Sequence, residues 1–232
     1  MGGQACVFYG AAEFSRDVDL LILADRSNLA KLKEAFAELN AEVIAVPPLE
    51  EKYLSRGHAV HLRCAREDVA GLRIDLMSSL RGAAVFDELW ARRTTIEAAG
   101  EPVDLMAIED LVCAKKTQRD KDWPMIRRLV EQHYFRQLSE QHEEKQFEEK
   151  VRFWLRELRT PELLADVAGA HPELAKSEAT SRPSVRAALS GKLADVLDAL
   201  EFEEREERRK DKEYWAPLKR ELEELRLDRR RK

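Results

Sequence analysis

Residues 14–24 read Phe-Ser-Arg-Asp-Val-Asp-Leu-Leu-Ile-Leu-Ala, two aspartates around one valine with an aliphatic run directly behind them. In an extended strand, residues two apart project to the same side. Asp17 and Asp19 therefore point together, with Cα atoms about 6.5–7 Å apart, while Val18 packs behind. Carboxylates this close repel unless a cation stands between them. A pair at a strand mouth suits Mg²⁺, which takes carboxylate oxygens together with substrate phosphates.

A third aspartate, Asp75, interrupts the strand-like Leu-Arg-Ile-Asp-Leu-Met-Ser-Ser at 72–79, with Ile74 and Leu76 on the opposite face. Laid beside the first strand, it would complete a site for two metal ions about 3.5–4 Å apart. One ion would activate an attacking hydroxyl, or help Asp75 deprotonate it, while the other neutralises charge on a nucleoside triphosphate. The chain carries 45 acidic residues, and Asp-Lys-Asp at 120–122 repeats the motif. Setting therefore selects Asp17, Asp19 and Asp75: two strands, with apolar neighbours on the other face.

These acids require a sheet and helices to hold it. Residues 3–12 form a short apolar helix, and 17–24 read as a central strand, apolar on both faces. Ser27 is the expected cap of a helix carrying Leu29, Leu32, Phe36 and Leu39 at helical spacing. A strand at 42–47 stops at Pro47 and Pro48, and a brief helix closes at Gly57. Strands follow at 58–64 and 72–79, then a helix at 83–93 and two short strands around Gly100. Helices at 107–116 and 120–134 complete this half, with Pro124 tolerable in a first turn. Asp120 and Asp122 are expected to cap the second of them.

Beyond Phe135 strand signals vanish. The remainder is helical by period, punctuated by Pro161, Pro172, Pro183 and Pro217, and 177–184 reads as a linker. The expected fold is α+β: a mixed sheet flanked by helices over 1–134, then an all-helical region over 135–232.

Charged residues make up 37% of the 232, against a usual share of about 25%, which points to much exposed helix. A net charge of −5 argues against bulk attraction to nucleic acid, though a local basic groove stays open. Cys6, Cys64 and Cys113 are too scattered for a disulfide frame and fit a reducing compartment. No apolar run reaches the roughly 20 residues of a membrane span, and the opening Met-Gly-Gly-Gln lacks a leader's basic and apolar regions. A soluble cytoplasmic protein with no membrane partner is expected.

The order Gly2-Gly3, a short helix, Asp17-Val18-Asp19 and then Asp75 resembles the nucleotidyltransferase superfamily with the polymerase-β-like fold. The resemblance implies that the three aspartates bind two Mg²⁺ ions, and that the Gly2-Gly3 turn brings backbone N–H groups to a nucleoside triphosphate. Ser15 matches the hydroxyl residue that commonly precedes the Asp-x-Asp. Residues 104–131 look like the helix-turn-helix of small bacterial members related to abortive-infection and toxin–antitoxin nucleotidyltransferases. There basic residues face the phosphates, and Lys115, Lys116, Arg119 and Lys121 stand at the matching positions. A solvated helix end is the alternative for each.

The resemblance covers roughly residues 2–134. It also places a strand ahead of the glycine pair, where this chain has Met1 alone. The expectation is that this first strand is missing and that the start lies inside a longer reading frame. The implied activity is transfer of a nucleoside monophosphate to a hydroxyl acceptor, with tRNA, protein and small molecule all open, possible toxin-like action and a possible cognate antitoxin. The rival is a non-catalytic interaction or antitoxin-type protein that keeps the fold.

Other features read as structural. His58 and His61 fall three apart on a strand, hence on opposite faces. Trp90, Trp123, Trp154 and Trp215 read as packing residues, and the basic cluster at the end of the chain as a solvated terminus.

Overall fold

The computed structural model describes residues 1–140 and 143–231. The chain divides into two compact units. The first comprises Met1–Phe8, Ala12–Ala114 and the segment from Lys212 onward, and the second Tyr9–Ala11 and Lys115–Asp211. The protein is mixed α+β with a helical C-terminal region, as expected: residues 1–114 mix helix and strand, and every described element beyond them is helical.

In the first unit, α1 (Gly2–Phe8) leads to β1 (Asp17–Leu21), α2 (Arg26–Glu38), β2 (Ala41–Val43), α3 (Glu51–Leu54), β3 (Val60–Cys64) and β4 (Arg73–Met77). The four strands form one sheet in the order β1-β4-β3-β2, with β1 parallel to β4 and the other pairs antiparallel. β1 is thus an edge strand and not the central one expected from its aliphatic run. Its pairing with β4 continues through Ile22, whose N–H donates to the Met77 carbonyl at 2.9 Å.

Strict alternation on β3 and β4 gives the sheet two unlike faces. Val18, Leu20, Val60, Leu62, Ile74 and Leu76 lie on one face and pack with Leu29, Phe36 and Leu54 from α2 and α3. This apolar layer is the core of the unit, and its burial drives the sheet to form. The register fixes what the opposite face carries. Asp19 pairs with Asp75 and Asp17 with Arg73, and β3 adds His61 beside Asp75 and Arg63 beside Arg73.

α2 is capped by Asp25, not Ser27: the extended backbone of Asp25 lets its carboxylate accept the Asn28 N–H at 2.8 Å. Ser27 already lies inside the helix. α4 (Phe86–Ala91) precedes a hairpin of β5 (Thr94–Ala98) and β6 (Glu101–Leu105). Its two-residue turn places Ala99 and Gly100 at φ 54° and 83°, the geometry that matches strand twist. α5 (Ile108–Ala114) is tied to the end of α4 by an Arg92 fork onto Asp110, at 2.6 and 2.7 Å.

The second unit contains α6 (Asp122–Leu138), α7 (Glu144–Glu157), α8 (Pro161–Ala170), α9 (Pro172–Glu178) and α10 (Pro183–Leu189). Three of these start on a proline, which needs no N–H partner there. Trp123 and Trp154 are buried, and the Trp154 indole donates to His133 Nδ1 at 2.9 Å. The expected linker at 177–184 is instead a packed corner. Arg182 is buried and donates to the Leu155 and Leu158 carbonyls, at 2.6 and 2.8 Å, satisfying groups that the end of α7 leaves open. Polar composition suggested a linker because sequence does not show that Arg182 points inward.

α11 (Leu193–Arg231) runs through Pro217 without ending. An interior proline costs about 3 kcal/mol, and packing offsets it. Tyr214 and Leu218 pack against Gly57, and Glu221 accepts from Arg56 and lies 2.8 Å from His58 Nε2. Among the described residues no helix is long and apolar enough to cross a membrane.

Candidate functional site

The glycine pair lies against Asp19 on the sheet face. Gly3 N–H donates to Asp19 Oδ2 at 3.2 Å, and the Met1 nitrogen to the Asp19 carbonyl at 2.8 Å. Gly2 has φ +65°, and a Cβ there would stand 1.9 Å from Asp19 Oδ2. A Cβ on Gly3 would stand 2.4 Å from Ser15 Oγ. Gly2 therefore resists any side chain, while one at Gly3 would require the Ser15 hydroxyl to move. Ser15 Oγ donates to the Asp17 carbonyl at 3.0 Å, and Gln4 Nε2 to the Ser15 carbonyl at 3.1 Å. Gly2, Gly3, Ser15, Asp17 and Asp19 form one constellation at the mouth of β1.

Asp75 stands beside Asp19 on the neighbouring strand, with its side chain on the same face. Its carboxylate is already engaged. Arg73, two residues back on the same face, forks onto it through Nε at 2.9 Å to Oδ1 and Nη2 at 3.1 Å to Oδ2. His61 Nδ1 lies 2.8 Å from Oδ1. A carboxylate only accepts, so Nδ1 carries the proton and its 3.1 Å approach to Arg73 Nη2 is no hydrogen bond. Burial raises the Asp75 carboxyl pKa, but hydrogen bonds and charge from His61 and Arg73 outweigh burial and hold it below the ordinary carboxylate range. The Arg73 guanidinium is raised in turn, first by its bonds to Asp75 and further by the charges of Asp75, Asp17 and Asp19.

Arg73 went unremarked in the sequence, although strand alternation already placed it on the Asp75 face, and His61 was read as a structural histidine. The sequence did not pair His61 with Asp75, because its register against β4 is a tertiary property. His58, by contrast, is fully buried beside Glu221, apart from this face.

The four basic residues expected at the phosphates all belong to the second unit. Lys115 is buried 3.6 Å from Asp122, Lys116 bonds Glu157 at 2.7 Å and Arg119 bonds Asp122 at 2.7 Å. Lys121 is exposed just ahead of α6. Asp122 is no cap: it is buried and accepts from Thr117 and Arg119, while Lys121 holds the cap position. Asp120 pairs with Arg208.

Leu20 and Leu21, just past Asp19, line a cavity of about 90 Å³ walled also by Phe86, Trp90 and Arg93. Trp90 is 46% exposed; it stacks on Phe86 with centroids 5.8 Å apart and carries the Arg93 guanidinium 4.0 Å above its ring. It is thus more open than a pure packing residue.

The donor set fits a hard divalent ion in its chemistry: carboxylate oxygens side by side on one face, with glycines clearing the space at Asp19. No three acidic, histidine or cysteine side chains are drawn around a single point among the described residues. Arg73 is the cation that the Asp75 carboxylate holds. No protein-family model, curated protein or solved structure matches the chain.

Proposed function

We propose that the chain is a metal-dependent nucleotidyltransferase that moves a nucleoside monophosphate from a nucleoside triphosphate to a hydroxyl acceptor. The observation that carries this reading is the register of β1 against β4. It sets Asp19 beside Asp75 and on the face of Asp17, with the Gly2-Gly3 backbone against the Asp19 carboxylate. The nucleotidyltransferase type of the sheet and two Mg²⁺ ions belong to the same proposal.

In this reading Asp17, Asp19 and Asp75 would hold the metal ions, and the lack of side chains at Gly2 and Gly3 lets the Asp19 carboxylate and the Ser15 hydroxyl lie against the backbone there. Bound Mg²⁺ supplies charge neutralisation of the triphosphate and lowers the pKa of the acceptor hydroxyl. The Asp75 carboxylate takes the hydroxyl proton. The acceptor oxygen bonds the α-phosphorus, the bond from that phosphorus to its bridging oxygen breaks, and pyrophosphate leaves. The acceptor is a tRNA, a protein or a small molecule, and toxin-like action with a cognate antitoxin is consistent with the family resembled.

The test is incubation of the chain with α-labelled nucleoside triphosphates, Mg²⁺ and total cell RNA and protein. Label enters one fraction and is absent with Asp17→Asn or Asp19→Asn; no label from any nucleotide in any fraction refutes catalysis. The engagement of both Asp75 oxygens favours a second reading, a non-catalytic interaction or antitoxin-type protein. Thermal stabilisation by Mg²⁺ with a nucleotide, lost in Asp19→Asn, argues against it.

A further inference from the structure

We propose that Arg73 is the resident counter-cation of the aspartate face and competes with divalent metal for Asp75, so that an ion gains this carboxylate only when the guanidinium leaves. The inference rests on the metal-ligating reading of Asp17, Asp19 and Asp75 and adds a residue that controls occupancy.

Three observations converge on it. The fork from Nε and Nη2 covers both oxygens of Asp75, the lone pairs a metal ion would need. Strand register also sets Arg73 opposite Asp17, so this arginine stands within the field of all three acids. Exposure says which partner moves: the Arg73 side chain is 39% exposed and that of Asp75 14%. A long stem at the surface can swing into water, whereas Asp75 is held between two strands and bonded to His61.

Charge sets the direction. Asp17, Asp19 and Asp75 outnumber the guanidiniums of Arg73 and Arg63 on this face, and the excess of carboxylate draws a divalent ion. An ion arriving while Arg73 still sits on Asp75 meets a positive charge within hydrogen-bonding distance of the same oxygens, and the two repel. Removing the guanidinium charge therefore tightens metal binding, opposite to the effect of deleting a structural partner.

Mn²⁺ alone, titrated without nucleotide into the full chain by calorimetry or paramagnetic resonance, reads this directly. Arg73→Met binds Mn²⁺ about tenfold more tightly than wild type, roughly 1.4 kcal/mol. Arg73→Lys, which keeps the charge, stays close to wild type, and adding Asp75→Asn to Arg73→Met removes the gain. Arg73→Gln repeats the comparison should Arg73→Met fail to fold, as judged by circular dichroism. Unchanged or weaker binding in the neutral variants, a gain that survives Asp75→Asn, or an equal gain in Arg73→Lys overturns the proposal. Label transfer can succeed while Mn²⁺ affinity ignores Arg73, so failure here is distinct from failure of the nucleotidyltransferase reading.

Discussion

Each compact unit contains an arginine–carboxylate cluster, and the two are built to opposite plans. In the second unit Glu203 accepts from Arg182 on both oxygens at 3.1–3.3 Å, from Arg159 on Oε2 at 3.2 Å and from Ser184 on Oε1. Cations are in surplus there, but backbone carbonyls absorb their remaining donors: Leu155 and Leu158 for Arg182, Leu200 for Arg159. Arg182 is buried, and the Arg159 guanidinium lies 4.9 Å above the Trp123 ring. On the sheet face of the first unit the surplus is anionic, Arg73 and Arg63 against Asp17, Asp19 and Asp75, and Arg73 remains partly exposed. A cluster whose donors all end on the chain itself holds helices together. One that keeps an excess of a single sign at a half-open face can take a ligand.

That contrast breaks if the two clusters respond alike to deletion. The largest effect on stability is expected from Glu203→Ala, which leaves buried guanidinium charge uncompensated and costs about 3–5 kcal/mol, measured by urea unfolding. Asp75→Asn should change stability by no more than about 1 kcal/mol. The same variant should lower nucleotidyl transfer by roughly 10²–10⁴-fold, measured by label incorporation. Equal destabilisation by the two changes would reduce the sheet cluster to another structural ion pair.

Gly2→Ala sharpens the comparison on a smaller scale. Holding alanine at φ +65° costs about 1–2 kcal/mol, and its Cβ falls 1.9 Å from Asp19 Oδ2. The carboxylate must move, so transfer is expected to fall further than the stability loss explains.

The smallest effect concerns pH. Burial raises the Glu203 carboxyl pKa, but the charge of Arg182, the Ser184 hydroxyl and Arg159 outweigh burial and leave it depressed. A depressed carboxyl stabilises the fold above its unfolded value of about 4.3 and loses that contribution as pH falls through the folded value. Urea midpoints taken from pH 7 downward should therefore drop on the acid side of about pH 4. Glu203→Gln starts lower and falls less steeply; an identical slope in the two proteins would show that Glu203 contributes nothing to acid sensitivity.

Much of the first unit was legible in the sequence. Alternation in 60–64 and 73–77 marks strands with one apolar face, and Asp17, Asp19 and Asp75 interrupt aliphatic stretches where an unneeded charge would be costly. The turn at Gly100 and the helical tail were equally readable. What escaped depends on partners distant along the chain. The edge position of β1 follows from which strand pairs with it, the persistence of α11 past Pro217 from Gly57 and His58, and the packing of 177–184 from Arg182 reaching α7.

By itself the sequence determined the local periods: which residues share a strand face, where glycine must stand, and which carboxylates travel as a pair. These depend on backbone geometry, which repeats every two or 3.6 residues whatever the surroundings. Only the tertiary structure decided that Asp75 neighbours Asp19 and that Arg73 and His61 claim its oxygens. Register and ion pairing are relations between strands, and the energy that selects them comes from burying Val18, Leu62, Ile74 and Leu76 on the far side of the sheet.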